Sequence, residues 1–316
     1  MDKGAPATIV ERGTIAGGLN MALALFYAAA HGFQFFILPM WLLPRNPSWG
    51  WIVLPLALLN NPYWSLLHEA IHDLFHPARS INALFGRALS ILFGAPFRVL
   101  RLSHLLHHKL NRTLMEATEP YEPGKASWAR AAWGYYFQIF GGLYLGELMS
   151  SFLFFLPKAM LRRFKERFIK PDSISGILMQ NWTQEQALRE IRADGALILA
   201  GFALALYCYG ARWPLLLAIL GARGFLISFL DNVYHYRTPI NDIFFARNLW
   251  LPQWASKCLL NFNLHGIHHQ NPALPWVSLP VVFRQGKQPF HGNYLIAAAD
   301  QFAGPIAIDE LPPREK

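Results

Sequence analysis

Two cysteines, Cys208 and Cys258, are all that 316 residues contain. So few exclude a disulfide framework and any C-x-x-C metal or redox motif. Charge is scarce too: Asp, Glu, Lys and Arg make up 15% of the chain, against about 25% in a soluble domain. Residues 13–44 contain none of the four. With 53% hydrophobic residues and a positive mean hydropathy, the composition is that of an integral membrane protein. No secretory signal is legible in MDKGAPATIVERGT, where acids and bases mix ahead of a stretch too long for an h-region. Repeats and low-complexity tracts are missing, so one membrane domain is expected over residues 1–316. The net charge of +9 would suit nucleic acid. The bases concentrate beside apolar runs, however, as the positive-inside rule expects, and no nucleic-acid partner is read from them.

What the chain does have is long apolar runs. Four are near the ~17–25 residues that cross a bilayer: 18–42, 49–67, 195–211 and 213–232, the last two joined by Gly210-Ala211-Arg212-Trp213-Pro214. Residues 81–97 are interrupted by Arg87, and 131–157 by Gly141-Gly142 and Glu147. Both are expected to be re-entrant or to lie in the interface. The segment 158–192 carries eight Lys or Arg and belongs in the cytoplasm. It reads as amphipathic helix broken at Pro171-Asp172-Ser173, with a helix start at Thr183-Gln-Glu-Gln. The tail from about 271, rich in Pro and Gly, is expected to fray. The fold class is therefore all-α integral membrane. Two hairpins supply four transmembrane helices, joined by interfacial helices and a cytoplasmic helical cap. Histidine regions 68–130 and 235–285 and both termini then share the cytoplasmic face, at the inner membrane if the source is bacterial.

Eight of the twelve histidines fall in three boxes: His68/His72 in H-E-A-I-H, His104/His107/His108 in H-L-L-H-H, and His265/His268/His269 in H-G-I-H-H. Neutral imidazole is a common metal ligand. H-x-x-x-H on a helix leaves its rings about 40° apart and one turn distant, and H-x-x-H-H keeps three within roughly 100°. Three boxes exceed the needs of one metal, so two metals are expected. His235, closing the last span, emerges level with His68 and is a ninth candidate ligand. His76 precedes the constraint of Pro77 and reads as a capping or interface residue. His31, sharing a face with Gln34, reads as a bundle hydrogen bond, and His291 as structural.

Ligating histidines need an acceptor on their second nitrogen. Glu69, Asp73, Asp231, Glu116 and Glu119 are available. Glu69, Asp73, Asn111, Asp231 and Asn261 form the candidate supporting set. Arg223, deep in the last span, is costly unless paired. Glu147 is its expected partner.

H-E-x-x-H by itself is also the zincin signature, with Glu69 as general base. A zinc protease would leave six clustered histidines without a role, and haem would need only one or two of them. A histidine-rich, carboxylate-poor site at a membrane surface suits two irons that activate O₂. The Glu and Glu-x-x-His pattern of soluble di-iron bundles is absent. In box order, in placement relative to two hairpins and in Asn263-Leu-His-Gly-Ile-His-His-Gln-Asn-Pro-Ala-Leu-Pro-Trp276, the chain resembles the membrane fatty-acid desaturase superfamily over roughly residues 20–285. That resemblance implies a non-haem di-iron centre held by the eight box histidines, with His235 matching the extra histidine before box three. It implies O₂-dependent attack on an unactivated C–H of a long acyl chain, with desaturation the expected outcome. Hydroxylation, carotenoid ketolation or hydroxylation, and terminal-alkene formation occur in the same superfamily, and the ligands do not separate them. No catalytic residue beyond the metal ligands is assigned. The chain carries no H-P-G-G cytochrome b5 motif and no rubredoxin cysteine pairs. A separate donor resembling ferredoxin, rubredoxin or cytochrome b5, with its reductase, is therefore expected. The basic stretch 158–170 could receive that donor, an acyl-carrier protein or anionic lipid.

Overall fold

The computed structural model describes residues 13–313, so most of the segment behind the signal reading lies outside the described residues. The described chain is helical apart from one short parallel pairing. Helix α1 (Gly17–Gly32) continues as a π-helical run over Phe33–Leu42. A 3-10 turn, Pro47–Ile52, leads into α2 (Val53–Ala57), α3 (Asn60–Ile71), α4 (Arg79–Phe93) and α5 (Phe97–Leu110). Then come α6 (Trp128–Phe137), α7 (Leu143–Leu153), α8 (Lys158–Phe168), α9 (Ile174–Trp182), α10 (Glu185–Tyr209) and α11 (Trp213–Asn232). Four short helices complete the chain: α12 (Gln253–Cys258), α13 (His265–Gln270), α14 (Leu279–Gln285) and α15 (Tyr294–Asp300).

Among the described residues two helical segments are long and apolar enough to cross a membrane, Gly17–Leu42 and Glu185–Asn232. The second is folded back on itself. Asp194 accepts from Phe97 N, while Arg223 donates to the carbonyl of Phe93. In one straight helix Asp194 and Arg223 would be about 43 Å apart, yet both reach the same corner. The reversal is at Gly210, whose φ of 49° favours glycine. Helix α10 starts ten residues before the predicted 195, with Asp194 buried against Arg87. Leu25, Leu197, Leu204 and Leu217 stay exposed along these segments, as lipid-facing side chains would.

The predicted span 49–67 is not one helix. Pro47, Pro55 and Pro62 each lack an N–H, and the path divides into a 3-10 turn, α2 and α3. Helix α3 then runs beyond residue 67 to Ile71, buried along nearly its whole length. A third spanning segment is found among the described residues if α4 and α5, bent by 98°, count together as one broken span. Gly94, at φ 103°, and Pro96 make that corner. It falls within the stretch 81–97 expected to be re-entrant. Residues 131–157 are likewise interrupted: α6 and α7 meet at Gly141, φ 128°. A Cβ there would make only ordinary contact, 3.5 Å from the backbone of Gly224, so it is the positive φ of the kink that calls for glycine.

Arg223 does not pair with Glu147. Its guanidinium donates to Asn60 Oδ1, to the carbonyls of Leu92 and Phe93, and to His31 Nε2. The α4 C-terminus offers unpaired carbonyls and the negative end of a helix dipole, which together stabilise a cation without a carboxylate. His31 takes the expected bundle hydrogen bond in this set.

The tail does not fray over its described part. Ile306–Ala307 (β2) pairs in parallel with Pro120–Tyr121 (β1), and fully buried Gln301 bonds Asn232 and the Phe229 carbonyl. Tyr135 and Tyr236 donate to the carbonyls of Gln301 and Gly304. Buried polar partners hold the segment despite its composition. The 158–192 reading matches: α8 and α9 flank the Pro171 break, Ser173 caps α9 by accepting from Gly176 N, and α10 begins at Glu185.

Candidate metal centre

Box one closes α3, with His72 at its C-cap and Asp73 beyond it at φ 61°. Box two occupies the last two turns of α5. Box three is α13 itself, seated by Gly266: a Cβ there would lie 2.4 Å from the Ala246 carbonyl oxygen. Asn248 fixes the same helix by accepting from Ile267 N. His235 stands just past α11, its N–H donating to the Asn232 carbonyl.

These elements bring nine histidines together in two groups. His68, His72, His104, His108 and His268 form one, and His107, His235, His265 and His269 the other. Within each, the candidate ligand nitrogens all lie within 4.8 Å of one another. Box one serves the first group whole, whereas boxes two and three are divided by helical phase: His104 and His108, one turn apart, serve the first group, and His107 turns to the second. His268 likewise separates from His265 and His269. The groups are adjacent, since the His108 and His269 rings stack at 4.4 Å.

Nε2 atoms face one another: His72 to His104 at 2.9 Å, His104 to His108 at 3.0 Å, His108 to His268 and His265 to His269 at 3.1 Å. Each ring nitrogen carries either a proton or a lone pair, so hydrogen bonds cannot satisfy every link of such a chain. Two nitrogens bound at right angles to one ion, each about 2.1 Å away, would be roughly 3.0 Å apart. His68 Nε2, His235 Nδ1 and His265 Nδ1 are buried with no hydrogen-bond partner among the described residues. The donor set fits metal ions. Burial, the largest cause in each case, holds His72 at about 3 and His108 at about 2. It holds His68, His104, His235, His265, His268 and His269 well below the ordinary value. These rings therefore keep their lone pairs at neutral pH.

A family comparison matches residues 47–297 to fatty acid desaturase, a stretch that includes all nine histidines. The chain belongs to the fatty acid desaturase family. No curated protein matches it.

In this desaturase-family chain the supporting residues are distributed differently from expectation. Asn111 does reach a ring, its amide nitrogen 3.2 Å from His269 Nδ1. Asp231 accepts from Trp64 Nε1 and lines a cavity beside His107 and His235. Asp73 is instead bound by Arg101 and Asn82. Asn261 lies in a left-handed turn, bonded to Ser256 and the Trp276 carbonyl. Glu69 accepts from Trp276 N, and burial, partly opposed by that bond, pushes its carboxyl up to about 8. The acceptor left out of the candidate set is Glu116, which takes a 2.7 Å hydrogen bond from His107 Nδ1. Burial opposes a charge on His107, but the carboxylate outweighs it and raises the imidazole above its ordinary value. Glu119 forms a buried pair with Arg112. His76 and His291 join neither group and accept from Ala78 N and Asn248 N.

Beside His104, His107 and His235 a cavity of about 950 Å³ runs between α5, α7, α9 and α11, walled by residues such as Leu100, Ile139, Leu178 and Ile227. That volume is at the upper end for small-molecule sites.

Proposed function

We propose that the protein is an O₂-dependent membrane oxidoreductase that uses two non-haem irons to oxidise a long acyl chain, forming a carbon–carbon double bond. The observation that carries this reading is the pair of convergent histidine groups bordering a deep, mostly apolar cavity. His68, His72, His104, His108 and His268 would hold one iron, and His107, His235, His265 and His269 the other. When bound, the irons would supply O₂ activation and the oxidising power to break an unactivated C–H bond. The protein's own part is to keep the rings neutral, orient them and exclude water. Glu116 fixes the tautomer of His107 by accepting its Nδ1–H, which leaves Nε2 for the metal. Hydroxylation, carotenoid oxidation and alkene formation use the same ligands, and differ in how the chain lies in the cavity. A zinc protease is disfavoured because it would leave most of the nine gathered histidines without a role.

Four crossings, with the histidine groups on the cytoplasmic face, belong to the same proposal. So do electrons from a separate acidic donor, for which the exposed Arg162, Arg163 and Arg167 on α8 are a docking surface. The test is metal analysis of purified protein, with lipid profiling of cells that express it beside a reductase system. Two irons per chain and a new double bond are expected. One zinc and no iron would overturn the proposal.

A further inference from the structure

The cavity wall contains several polar side chains, and the protein itself satisfies many of them. Thr118 donates to Asn232, Asn232 donates to Gln301, Ser150 donates to the Glu147 carbonyl, and Ser228 accepts from Tyr144 N. Asp231 holds Trp64. Away from the histidines, Trp182 Nε1 and Glu147 Oε2 are different, and of the two only Glu147 can both donate and accept. Its Oε2 is shielded from solvent, lines the cavity and has no hydrogen-bond partner among the described residues. Arg223, its expected cationic partner, is engaged elsewhere. Burial favours the neutral acid, with Asp231 adding to the effect. A neutral carboxyl offers one donor and one acceptor, and a buried polar group left unpaired is costly enough to imply a partner.

We propose that Glu147 is the specificity-determining residue of this cavity, hydrogen-bonding an oxygen group on the substrate that can both give and take a hydrogen bond. Building on the acyl-chain reading above, this defines the substrate class: a chain whose carboxylic acid or alcohol group is held inside the cavity, near Asp231. A purely hydrocarbon stretch would leave Glu147 unpaired, and so would bind less well. The contact would also register the chain, because one anchored oxygen sets which carbons lie beside His104, His107 and His235.

The test is displacement of tritiated dodecanoic acid from iron-free protein in nanodiscs by dodecanoic acid, dodecanol, methyl dodecanoate and dodecane. Wild-type protein should prefer the acid or the alcohol over dodecane by roughly ten-fold, as for one satisfied hydrogen bond, and the better of the two identifies the group. Glu147→Gln, which still donates and accepts, should retain that preference, and Glu147→Leu should abolish it with dodecane binding unchanged. Equal binding of all four ligands by the wild type overturns the proposal, whether or not the leucine variant folds. So does a full preference surviving in Glu147→Leu. Because binding is read without iron, a failure of the di-iron reading would show separately, in metal content.

Discussion

His107 differs from the eight rings around it. Burial alone would hold it neutral like the others, yet Glu116 accepts its Nδ1–H and tips it toward the charged form in the iron-free protein. Glu116 is lowered in turn, against the effect of its burial, by the His107 charge and hydrogen bond and by Arg112. The stabilisation from the charged carboxylate is full above pH 4.5 and fades as pH falls through its lowered folded value. The stabilisation from the charged imidazole is full below pH 6.5 and fades as pH rises through its raised folded value. In iron-free protein, Glu116→Gln should therefore lower the thermal midpoint most between pH 4.5 and 6.5, with the gap narrowing on either side. A gap independent of pH would mean that the pair is not charged. In the loaded protein the same change should weaken metal affinity about 10–100-fold, measured by competition with a chelator.

At the scale of elements, box three depends on a short helix pressed against the 246–248 strand-like segment with no space for a Cβ. Gly266→Ala must displace either Ala246 or α13, and with it His265, His268 and His269. Loss of metal from both groups is expected, with helix content by circular dichroism nearly intact. Gly201, on α10, has nothing within 4 Å of its added Cβ. Gly201→Ala should be neutral or stabilise by up to about 1 kcal/mol, since alanine is the better helix former. Metal retention in Gly266→Ala would show that α13 can shift without cost to the site. Arg223 works at this scale as well, tying α11 to the end of α4, to Asn60 at the start of α3 and to His31 on α1. The four elements it joins include the helix that carries box one.

Across the whole molecule, the two histidine groups lie at one end of α11 and the Gly210 reversal at the other, with Arg223 roughly midway. Cys258 is exposed on α12, within a few residues of box three, while Cys208 sits beside the reversal. A membrane-impermeant maleimide should label Cys258 in inverted vesicles and not in intact cells, if the histidine groups face the cytoplasm. Labelling of Cys258 in intact cells would reverse the proposed orientation. A Cys258→Ser variant assigns the signal.

The sequence by itself determined the nine histidines as a set, the apolar character of the chain and three of its breaks, at Gly141, Pro171 and Gly210, though not the division of 49–67. Those features are periodic or compositional, and periodicity survives in one dimension: H-x-x-H-H commits three rings to one helix face wherever the helix goes. Only the tertiary structure decided how the boxes divide between two groups, because that depends on the angle at which α3, α5 and α13 meet. It also decided which polar residues serve the site. Glu116 reaches His107 because the chain reverses at Arg112, where φ is 59°, and a nine-residue separation carries no helical signature of that turn. Arg223 and Glu147 were matched by charge in sequence. The fold instead gave Arg223 the carbonyls of a helix terminus, acceptors that every residue possesses and no side-chain pattern can reveal.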